Sequence, residues 1–308
     1  MKQILKIISI FILASCQTLG FTQEDPDGPV KLDLNYESFM TESWTNKAET
    51  PLINFNFFDE NIESEMFFDL NGTTVFAVKE NQLVLTNFDS GEVLKIFELE
   101  TSRIISGVTV GYNTFLYADA DGIIYAHDSN SGDLKWTKEL EDVVLSEILI
   151  TSTAVYVQTS SDVLYGLNLQ NGETQWSKKA QAPLLSIRGT ASPIAFEGLI
   201  FTSFSNGRLA AVREVDGIQL WEKPISRLKG STELEKLMDA DSKAVPINED
   251  IFVANYNGSL TRFNIRNGEK VFSVDHSTLK PIILHKSTIT SINTCLLYTS
   301  DAADDALS

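Results

Sequence analysis

Two stretches of the chain decide the fold: residues 122–140 (GIIYAHDSNSGDLKWTKEL) and residues 162–180 (DVLYGLNLQNGETQWSKKA). In each, a run of alternating apolar residues ends in a polar pair and a glycine, and a tryptophan follows four residues later, Trp136 or Trp176. Alternation with a period of two is typical of a half-buried strand, and glycine provides the positive φ that a tight hairpin requires. Each stretch is therefore predicted to be a β-hairpin.

The pattern occurs three more times, in residues 81–99 (NQLVLTNFDSGEVLKIFEL), 207–225 (GRLAAVREVDGIQLWEKPI) and 258–276 (GSLTRFNIRNGEKVFSVDH). The turn glycines are 41, 40, 45 and 51 residues apart: Gly91, Gly132, Gly172, Gly217 and Gly268. Two further short strands are expected before each hairpin. Four short strands in a repeat of roughly 40 residues are typical of a β-propeller blade. We predict an all-β propeller fold with about five blades and, from residues 281–293, a fragment of a sixth.

We interpret the recurring aromatic residue as part of the hydrophobic core. It is Trp136, Trp176, Trp221 and Phe272 in the last four copies, whereas the first copy has Lys95 at this position and Phe97 two residues later. A large ring that recurs once per blade is expected to fill the wedge between neighbouring blades, since burial of such a ring stabilises the fold by roughly 1.5–3 kcal/mol.

The first residues have the pattern of a targeting signal. Two lysines precede a short apolar run that is too short for a membrane span, which predicts a secretory signal peptide over residues 1–15. Its end, Leu13-Ala14-Ser15-Cys16, resembles the bacterial lipobox, in which the cysteine is acylated and becomes the first residue of the mature chain. The alternative is a plain secretory signal followed by a chance cysteine. Residues 16–40 are predicted to be a lipidated, polar tether.

Composition excludes several classes of function. With 24 lysine and arginine residues against 42 aspartate and glutamate residues among 308, the formal net charge is −18, and no basic cluster is present, so a nucleic-acid partner is excluded. The two cysteines, Cys16 and Cys295, form no metal or redox motif, and the three histidines are scattered. No nucleophile elbow, phosphate-binding loop or zinc-binding helix motif is found. We therefore predict no catalytic residue, no cofactor and no metal.

The tryptophan-bearing repeat resembles the pyrroloquinoline-quinone type of propeller. Two segments that interrupt the repeat indicate one family among the propellers of this type. They are Leu184-Leu185-Ser186-Ile187-Arg188-Gly189 and the stretch from Gly230-Ser231-Thr232-Glu233 to Asp239-Ala240-Asp241. Both are similar to segments of the BamB family of outer-membrane assembly lipoproteins, as is Asn255-Tyr256-Asn257-Gly258. The similarity extends over about residues 41–293.

That resemblance implies a function. In the BamB family the two interrupting loops bind the periplasmic part of the barrel protein BamA, which implies partner-binding roles for Leu185, Ile187, Arg188, Asp239 and Asp241. Apolar residues beside an arginine are typical of interface hot spots, and carboxylates provide complementary charge. The expected protein is a non-catalytic scaffold that assists insertion of β-barrel proteins. Its expected partners are BamA, the rest of the assembly complex and unfolded outer-membrane proteins.

Three alternatives stay open at this point. The two loops could be longer connections in which Arg188 pairs internally with the aspartates. The chain could be a quinoprotein dehydrogenase, although it lacks adjacent cysteines and is short for that class. It could also be a substrate-binding propeller. The resemblance further implies the outer membrane as the location, since Gln17 and not an aspartate follows Cys16, with the protein on the periplasmic face.

The sequence also predicts how far the propeller extends and what lies at each end of it. The propeller is predicted to occupy residues 41–294 and to be incomplete, because the family has eight blades. Trp44 is expected to lie on an outer strand that completes another blade. Residues 295–308 resemble translated adapter sequence, and we expect them to be foreign to the natural protein; a genuine short terminus is the alternative.

Replacing Cys16 tests the predicted anchor. Two or more acyl chains at one site give stable membrane attachment. The Cys16→Ala variant, expressed without its partners, is therefore expected to move from the membrane fraction to the soluble fraction on centrifugation. A variant that still sediments with membranes would contradict lipid anchoring, and Ser15→Ala is the matched control that should stay membrane-bound.

Overall fold

The structure is a computed structural model that describes residues 67–79, 81–181, 191–227, 242–278, 281–285, 288–292 and 297–301. All of them belong to one compact unit, Glu42–Ser308. Cys16, Trp44 and Cys295 lie outside the described residues.

Five consecutive sheets contain four antiparallel strands each, and neighbouring strands in each sheet are consecutive in the chain. Sheet 1 contains β1 (Phe68–Asn71), β2 (Thr74–Lys79), β3 (Gln82–Asn87) and β4 (Val93–Glu98). Sheet 2 contains β5 (Ile104–Gly111), β6 (Thr114–Asp119), β7 (Ile123–Asp128) and β8 (Leu134–Glu139). Sheet 3 contains β9 (Leu149–Ile150), β10 (Ala154–Gln158), β11 (Val163–Asn168) and β12 (Thr174–Lys179).

The remaining strands continue this order. Sheet 4 contains β13 (Ile194–Phe196), β14 (Leu199–Phe204), β15 (Arg208–Arg213) and β16 (Gln219–Pro224). Sheet 5 contains β17 (Val245–Ile247), β18 (Asp250–Ala254), β19 (Ser259–Asn264) and β20 (Lys270–Asp275). Sheet 6 has three strands, β21 (Ile283–His285), β22 (Thr288–Ile292) and β23 (Leu297–Asp301).

This arrangement confirms the predicted fold class, with five blades and the beginning of a sixth. Strand β23 lies within residues 295–308 and pairs antiparallel with β22. The foreign origin of those residues stays a prediction.

Each repeat closes on itself through one backbone hydrogen bond. The last residue of the quoted stretch donates its N–H to the carbonyl of the first, as Leu140 does to Gly122 at 3.0 Å and Ala180 to Asp162 at 3.0 Å. The same bond joins the ends of the other three stretches at 2.7 to 3.1 Å. The sequence repeat therefore corresponds to one hairpin, β3–β4 or its equivalent, with fixed ends.

The glycine turns of these hairpins share one design. The glycine N–H donates to the carbonyl four residues earlier, as Gly132 does to Asp128 at 2.9 Å. In sheets 1, 2, 3 and 5 that earlier residue is asparagine or aspartate, whose Oδ1 also accepts two backbone N–H groups of the turn. Such side-chain caps explain the polar residues of the repeat. Sheet 4 differs because Arg213 holds this position and pairs with Asp216, whose Oδ1 accepts the N–H of Ile218.

The tryptophans join each sheet to the next, as predicted. Trp136, Trp176 and Trp221 are 7%, 9% and 7% exposed. Each indole Nε1 donates to a carbonyl in the following sheet, namely Leu169 at 2.9 Å, Glu214 at 3.0 Å and Ile265 at 2.8 Å. Each acceptor lies three residues before the turn glycine of that sheet. The indole rings also lie against those glycines: Gly172, Gly217 and Gly268.

A small residue opposite each tryptophan leaves space for the ring. Trp136 pairs with Ala126, Trp176 with Gly166 and Trp221 with Ala211, and the register shifts immediately beyond each pair. A shift of this kind is a β-bulge, which re-aims the side chains beside it. The bulge therefore directs the indole toward the neighbouring sheet.

Sheet 1 divides the tryptophan's role between two residues. Lys95 Nζ donates to the carbonyl of Asn130 at 2.6 Å, and the ring of Phe97 lies where a Cβ on Gly132 would be. Lys95 also lies 4.7 Å from the centroid of that ring. The sequence departure at Lys95 thus preserves both the hydrogen bond and the cover over the glycine. Phe272 of sheet 5 is partly buried and contacts Phe252 edge-on, with ring centroids 6.0 Å apart.

Replacement of a turn glycine tests this contact. Gly172 has φ of 70°, and an added Cβ would lie 2.6 Å from the Trp136 ring. Gly72 has φ of 61° but no atom within 4 Å of the same position. We expect Gly72→Ala to lower the free energy of unfolding by about 1–2 kcal/mol through backbone strain alone. Gly172→Ala should lower it by roughly 1–3 kcal/mol more through overpacking.

Denaturant unfolding followed by tryptophan fluorescence measures both variants. Equal destabilisation by the two alanines would contradict the docking of Trp136 on Gly172, because the glycines differ in what surrounds them and not in their conformation.

Candidate partner-binding face

One edge of the sheets carries all the segments that connect one sheet to the next. Because the strands alternate in direction, the fourth strand of each sheet ends beside the hairpin that joins its second and third strands. We call this edge the connector face; it contains the hairpins around residues 120–122, 159–162, 205–207 and 255–258. The opposite edge, which carries the turn glycines, is called the turn face.

The five predicted partner-binding residues lie outside the described residues. Leu185, Ile187 and Arg188 fall in residues 182–190, here called loop 1, and Asp239 and Asp241 fall in residues 228–241, here called loop 2. Loop 1 connects β12 to β13 and loop 2 connects β16 to β17, so both leave from the connector face between consecutive sheets. What the structure describes is the set of contacts at the ends of the two loops.

Loop 1 starts from a buried polar network between sheets 3 and 4. Asn206 Nδ2 donates to the carbonyl of Gln181, the last described residue before the loop, at 3.1 Å. Beside it, Asp162 accepts the backbone N–H of Ser205 at 3.1 Å and also the Ser205 hydroxyl. Gln158 is fully buried and donates to the carbonyl of Ser203 at 2.9 Å. These bonds fix the start of loop 1 to both sheets.

Asp162 has an unusual place in this network. It is 3% exposed and has φ of 60°, and it occupies the position at which three other repeats have glycine: Gly122, Gly207 and Gly258. A residue other than glycine at positive φ is uncommon and points to a constraint. Sequence reasoning missed Asp162, although the alignment of the repeats contained that signal.

Loop 2 starts from a second network, between sheets 4 and 5. Ser226 Oγ donates to Asn255 Oδ1 at 2.6 Å, and the N–H of Ser259 donates to the same oxygen at 3.1 Å. The carbonyl of Ile225 accepts from Thr261 Oγ1 and from Lys270 Nζ, both at 2.9 Å. Burial, and secondarily the charge of Arg227, lowers the pKa of Lys270. The start of loop 2 is therefore also fixed to both neighbouring sheets.

The returning ends of both loops lie near a cavity of about 280 Å³. Ala191 and Ser242 are 1% and 0% exposed, so the chain is anchored directly after each loop. Glu147 contacts both returns, through Ser192 and through Lys243. The cavity lies among the first strands of the sheets and the segments before them; it is lined by Phe68, Asp69, Val108, Thr109, Glu147, Ile148, Leu149, Ile150, Pro193 and Lys243.

A separate, partly buried cluster joins sheets 1 and 2. The Tyr117 hydroxyl donates to Glu100 Oε2 at 2.6 Å, and His127 Nε2 lies 3.1 Å from the same oxygen. His127 is 1% exposed, and its ring stacks on Phe115 with centroids 4.7 Å apart. Burial, followed by the hydrogen bond to Glu100, raises the pKa of Tyr117. The cluster is packed between two sheets, which is the position of a structural contact.

The described residues contain no group of three or more histidine, cysteine or acidic side chains placed to hold a metal ion. Within the same residues, no helix is long and apolar enough to cross a membrane.

The docked sheets, with a tryptophan in three of the five linking hairpins, define a β-propeller built from tryptophan-bearing repeats. Comparison with known proteins gives the family. A family model described as outer membrane protein assembly factor BamB matches residues 79–305, and the chain belongs to this family.

Individual relatives agree with the family match. The Escherichia coli K12 protein named outer membrane protein assembly factor BamB is 26% identical over 289 residues, which cover 90% of this chain and 72% of that protein. The Yersinia pestis protein of the same name is 26% identical over 224 residues, or 69% of this chain and 57% of the relative. A Vibrio cholerae relative is covered to 50% of its length. The chain thus spans about half the length of the latter two.

A solved structure agrees with the fold. The crystal structure of BamB from Moraxella catarrhalis superposes with a TM-score of 0.69 at 22% identity, and the match covers 76% of this chain and 72% of that one. At this identity the likeness establishes the propeller fold.

Replacing Asp162 by glycine tests the network at the start of loop 1. Glycine relieves the positive φ, so the variant would be neutral if Asp162 only formed a turn. Because Ser205 would lose its buried acceptor, we expect Asp162→Gly to lower the free energy of unfolding by about 1–3 kcal/mol. The matched control is Glu197→Gly, since Glu197 has φ of 50° and an exposed side chain, and it should change stability by less than about 1 kcal/mol. Urea unfolding of both variants gives the comparison, and equal effects would contradict an anchoring role for Asp162.

Proposed function

We propose that this protein is a non-catalytic scaffold of the outer-membrane β-barrel assembly machinery. It is anchored through Cys16 on the periplasmic face of the outer membrane, binds BamA and helps β-barrel proteins to insert. The observation that carries the proposal is the family match over residues 79–305, since the relatives are named as assembly factors. No reaction is required, because the function is to hold partners in position.

The connector face supports the assignment of BamA binding to loops 1 and 2. The two loops follow one another around the propeller, between sheets 3 and 4 and between sheets 4 and 5. Leu185 and Ile187 provide apolar anchors, Arg188 provides a planar cation, and Asp239 and Asp241 provide the opposite charge. Clustered apolar and arginine side chains with charged neighbours are the composition of an interface hot spot.

The outer strand of sheet 1 favours contact with unfolded outer-membrane proteins as well. Val93, Leu94 and Ile96 of β4 are 38%, 52% and 52% exposed. The corresponding residues of β12, namely Thr174, Gln175 and Ser177, are polar. An exposed edge strand with apolar side chains can accept an extended segment by β-augmentation. Together with BamA and the rest of the complex, such segments complete the proposed set of partners.

The alternative of a quinoprotein dehydrogenase fits the described residues poorly. A bound quinone needs a stacking platform and oxygen ligands for calcium. In the cavity described above, the Asp69 carboxylate already accepts the N–H groups of Leu70 and Val110 at 2.8 and 2.7 Å, and Glu147 is paired with Lys243. We therefore assign no step to this cofactor.

Alanine substitution of loop 1 tests BamA binding. The full chain carrying Leu185→Ala, Ile187→Ala and Arg188→Ala is expected to bind the periplasmic domains of BamA at least tenfold more weakly, since truncation of each hot-spot residue costs about 2 kcal/mol or more. Surface capture in detergent, with the BamA fragment titrated over the immobilised chain, measures the dissociation constant. The double variant Asp239→Ala and Asp241→Ala is expected to weaken binding as well.

A matched triple variant on the turn face controls for the loss of surface residues. Val215→Ala, Ile218→Ala and Arg266→Ala remove two exposed apolar side chains and one exposed arginine from the opposite edge. This control should bind like the parent. Unchanged capture by the loop 1 variant, with a melting temperature equal to that of the parent, would refute BamA binding through loop 1.

A further inference from the structure

Loops 1 and 2 return to the sheets next to each other, although they are distant in the chain. Ser192 lies two residues after loop 1, and Lys243 lies two residues after loop 2. Glu147, in the segment before β9, contacts both. Its backbone N–H donates to Ser192 Oγ at 3.2 Å, and its carboxylate accepts from Lys243 Nζ at 2.5 Å.

The contact between Glu147 and Lys243 joins two residues that are far apart in the chain. It joins the segment before sheet 3 to the segment before sheet 5, and the partners are 96 positions apart in the chain. By contrast, the Arg103–Asp121, Arg208–Glu222 and Arg262–Asp250 pairs each lie within one sheet or between neighbouring sheets. Glu147 thus contacts the returning ends of both loops, through its backbone N–H at Ser192 and through its carboxylate at Lys243.

Glu147 itself is held in a fixed place. Its neighbours Ser146 and Ile148 are 6% and 2% exposed, and the carbonyl of Ser146 accepts the hydroxyl of Ser106 from sheet 2. A line of contacts therefore runs from sheet 2 through Ser146 and Glu147 to the returns of both loops. Because this line is anchored in buried backbone, the position of Glu147 defines a reference point for both loop ends.

The pair is suited to positioning and not to stabilising the fold. The side chains of Glu147 and Lys243 are 66% and 44% exposed, and exposed ion pairs contribute little to stability. Both nevertheless restrict where the loop ends lie. A binding surface that is ordered before its partner arrives avoids the entropic cost of ordering during association.

We infer that Glu147 and Lys243 are positioning residues for the partner-binding face, and that they fix the spacing between Ser192 and Lys243, near the points where the chain leaves loops 1 and 2. This inference rests on the proposed function of the two loops. It adds that two residues outside both loops influence the affinity for the partner without contacting the partner themselves.

Charge reversal tests the inference with the full chain and the periplasmic fragment of BamA as the probe. Glu147→Lys and Lys243→Glu each place two like charges together, and each should weaken binding about three- to tenfold. The double variant, which carries both changes, restores an ion pair with its direction exchanged and should bind within about twofold of the parent. Melting temperatures should stay within about 2 °C, because the pair is exposed.

A second exposed pair on the connector face serves as the control. Arg103 binds the Asp121 carboxylate at 3.0 Å, with side chains 63% and 60% exposed, between the end of sheet 1 and the β6–β7 hairpin. Arg103→Glu and Asp121→Lys make the same kind of charge change away from loops 1 and 2. Each should alter binding less than twofold.

Two results would overturn the inference. If Glu147→Lys and Lys243→Glu changed the affinity in opposite directions, the residues would be sensing the partner's charge directly. If both single variants bound like the parent, or the double variant stayed as weak as the weaker single one, the pair would have no positioning role. Failure of the proposed function is distinguishable, because the loop 1 alanine variant would then retain binding whatever the charge at Glu147.

Discussion

The docking of one indole ring on the turn glycine of the next sheet is the contact on which the rest of this structure depends. It combines three requirements at one point: a ring that fills space, an Nε1–H that needs an acceptor, and a glycine without a Cβ. Trp136 meets them with Gly172 and the carbonyl of Leu169. Since the acceptor of each indole lies three residues before the glycine, the contact sets both the distance and the register between neighbouring sheets. Shape and hydrogen bonding then enforce the same geometry at the three junctions that carry a tryptophan.

Sheet 1 shows which parts of that contact are indispensable. Lys95 and Phe97 divide the two roles, the hydrogen bond and the ring, yet Gly132 on the receiving side is still a glycine with φ of 83°. The sheet that donates the hydrogen bond can therefore use other residues than tryptophan, provided that one of them makes the hydrogen bond and a ring covers the glycine. The receiving side does not, because any side chain at Gly132 would occupy the place of the Phe97 ring. The glycine is therefore the more constrained half of the interaction.

The hairpins, the turn glycines and the burial of the tryptophans could be predicted from the sequence, because each follows from a local pattern. Alternating residues, an asparagine or aspartate cap and a glycine are all within 19 residues of one another in residues 162–180. The residues at the loop ends could not be found in this way. Glu147 and Lys243 are 96 residues apart, and their contact exists only because three sheets are docked in order. Asp162 is an intermediate case, since its departure from glycine is visible in the repeat while its partner Ser205 is not.

The two edges of the sheets are under different constraints, and this difference explains where function can be added. The turn face holds the glycines and the indole acceptors, so the hairpins that carry them keep one length. On the connector face the segments between sheets take no part in that docking, and they vary from a few residues between β4 and β5 to 20 between β16 and β17. Loops 1 and 2 span the two junctions that Trp176 and Trp221 close from the opposite edge. The rigid docking of sheets 3, 4 and 5 therefore fixes the distance between the loop ends, and contacts such as those of Asp162, Asn255 and Glu147 transmit that fixed spacing to the surface. A partner that bound both loops at once would therefore contact segments whose ends are spaced by the docking of Trp176 and Trp221.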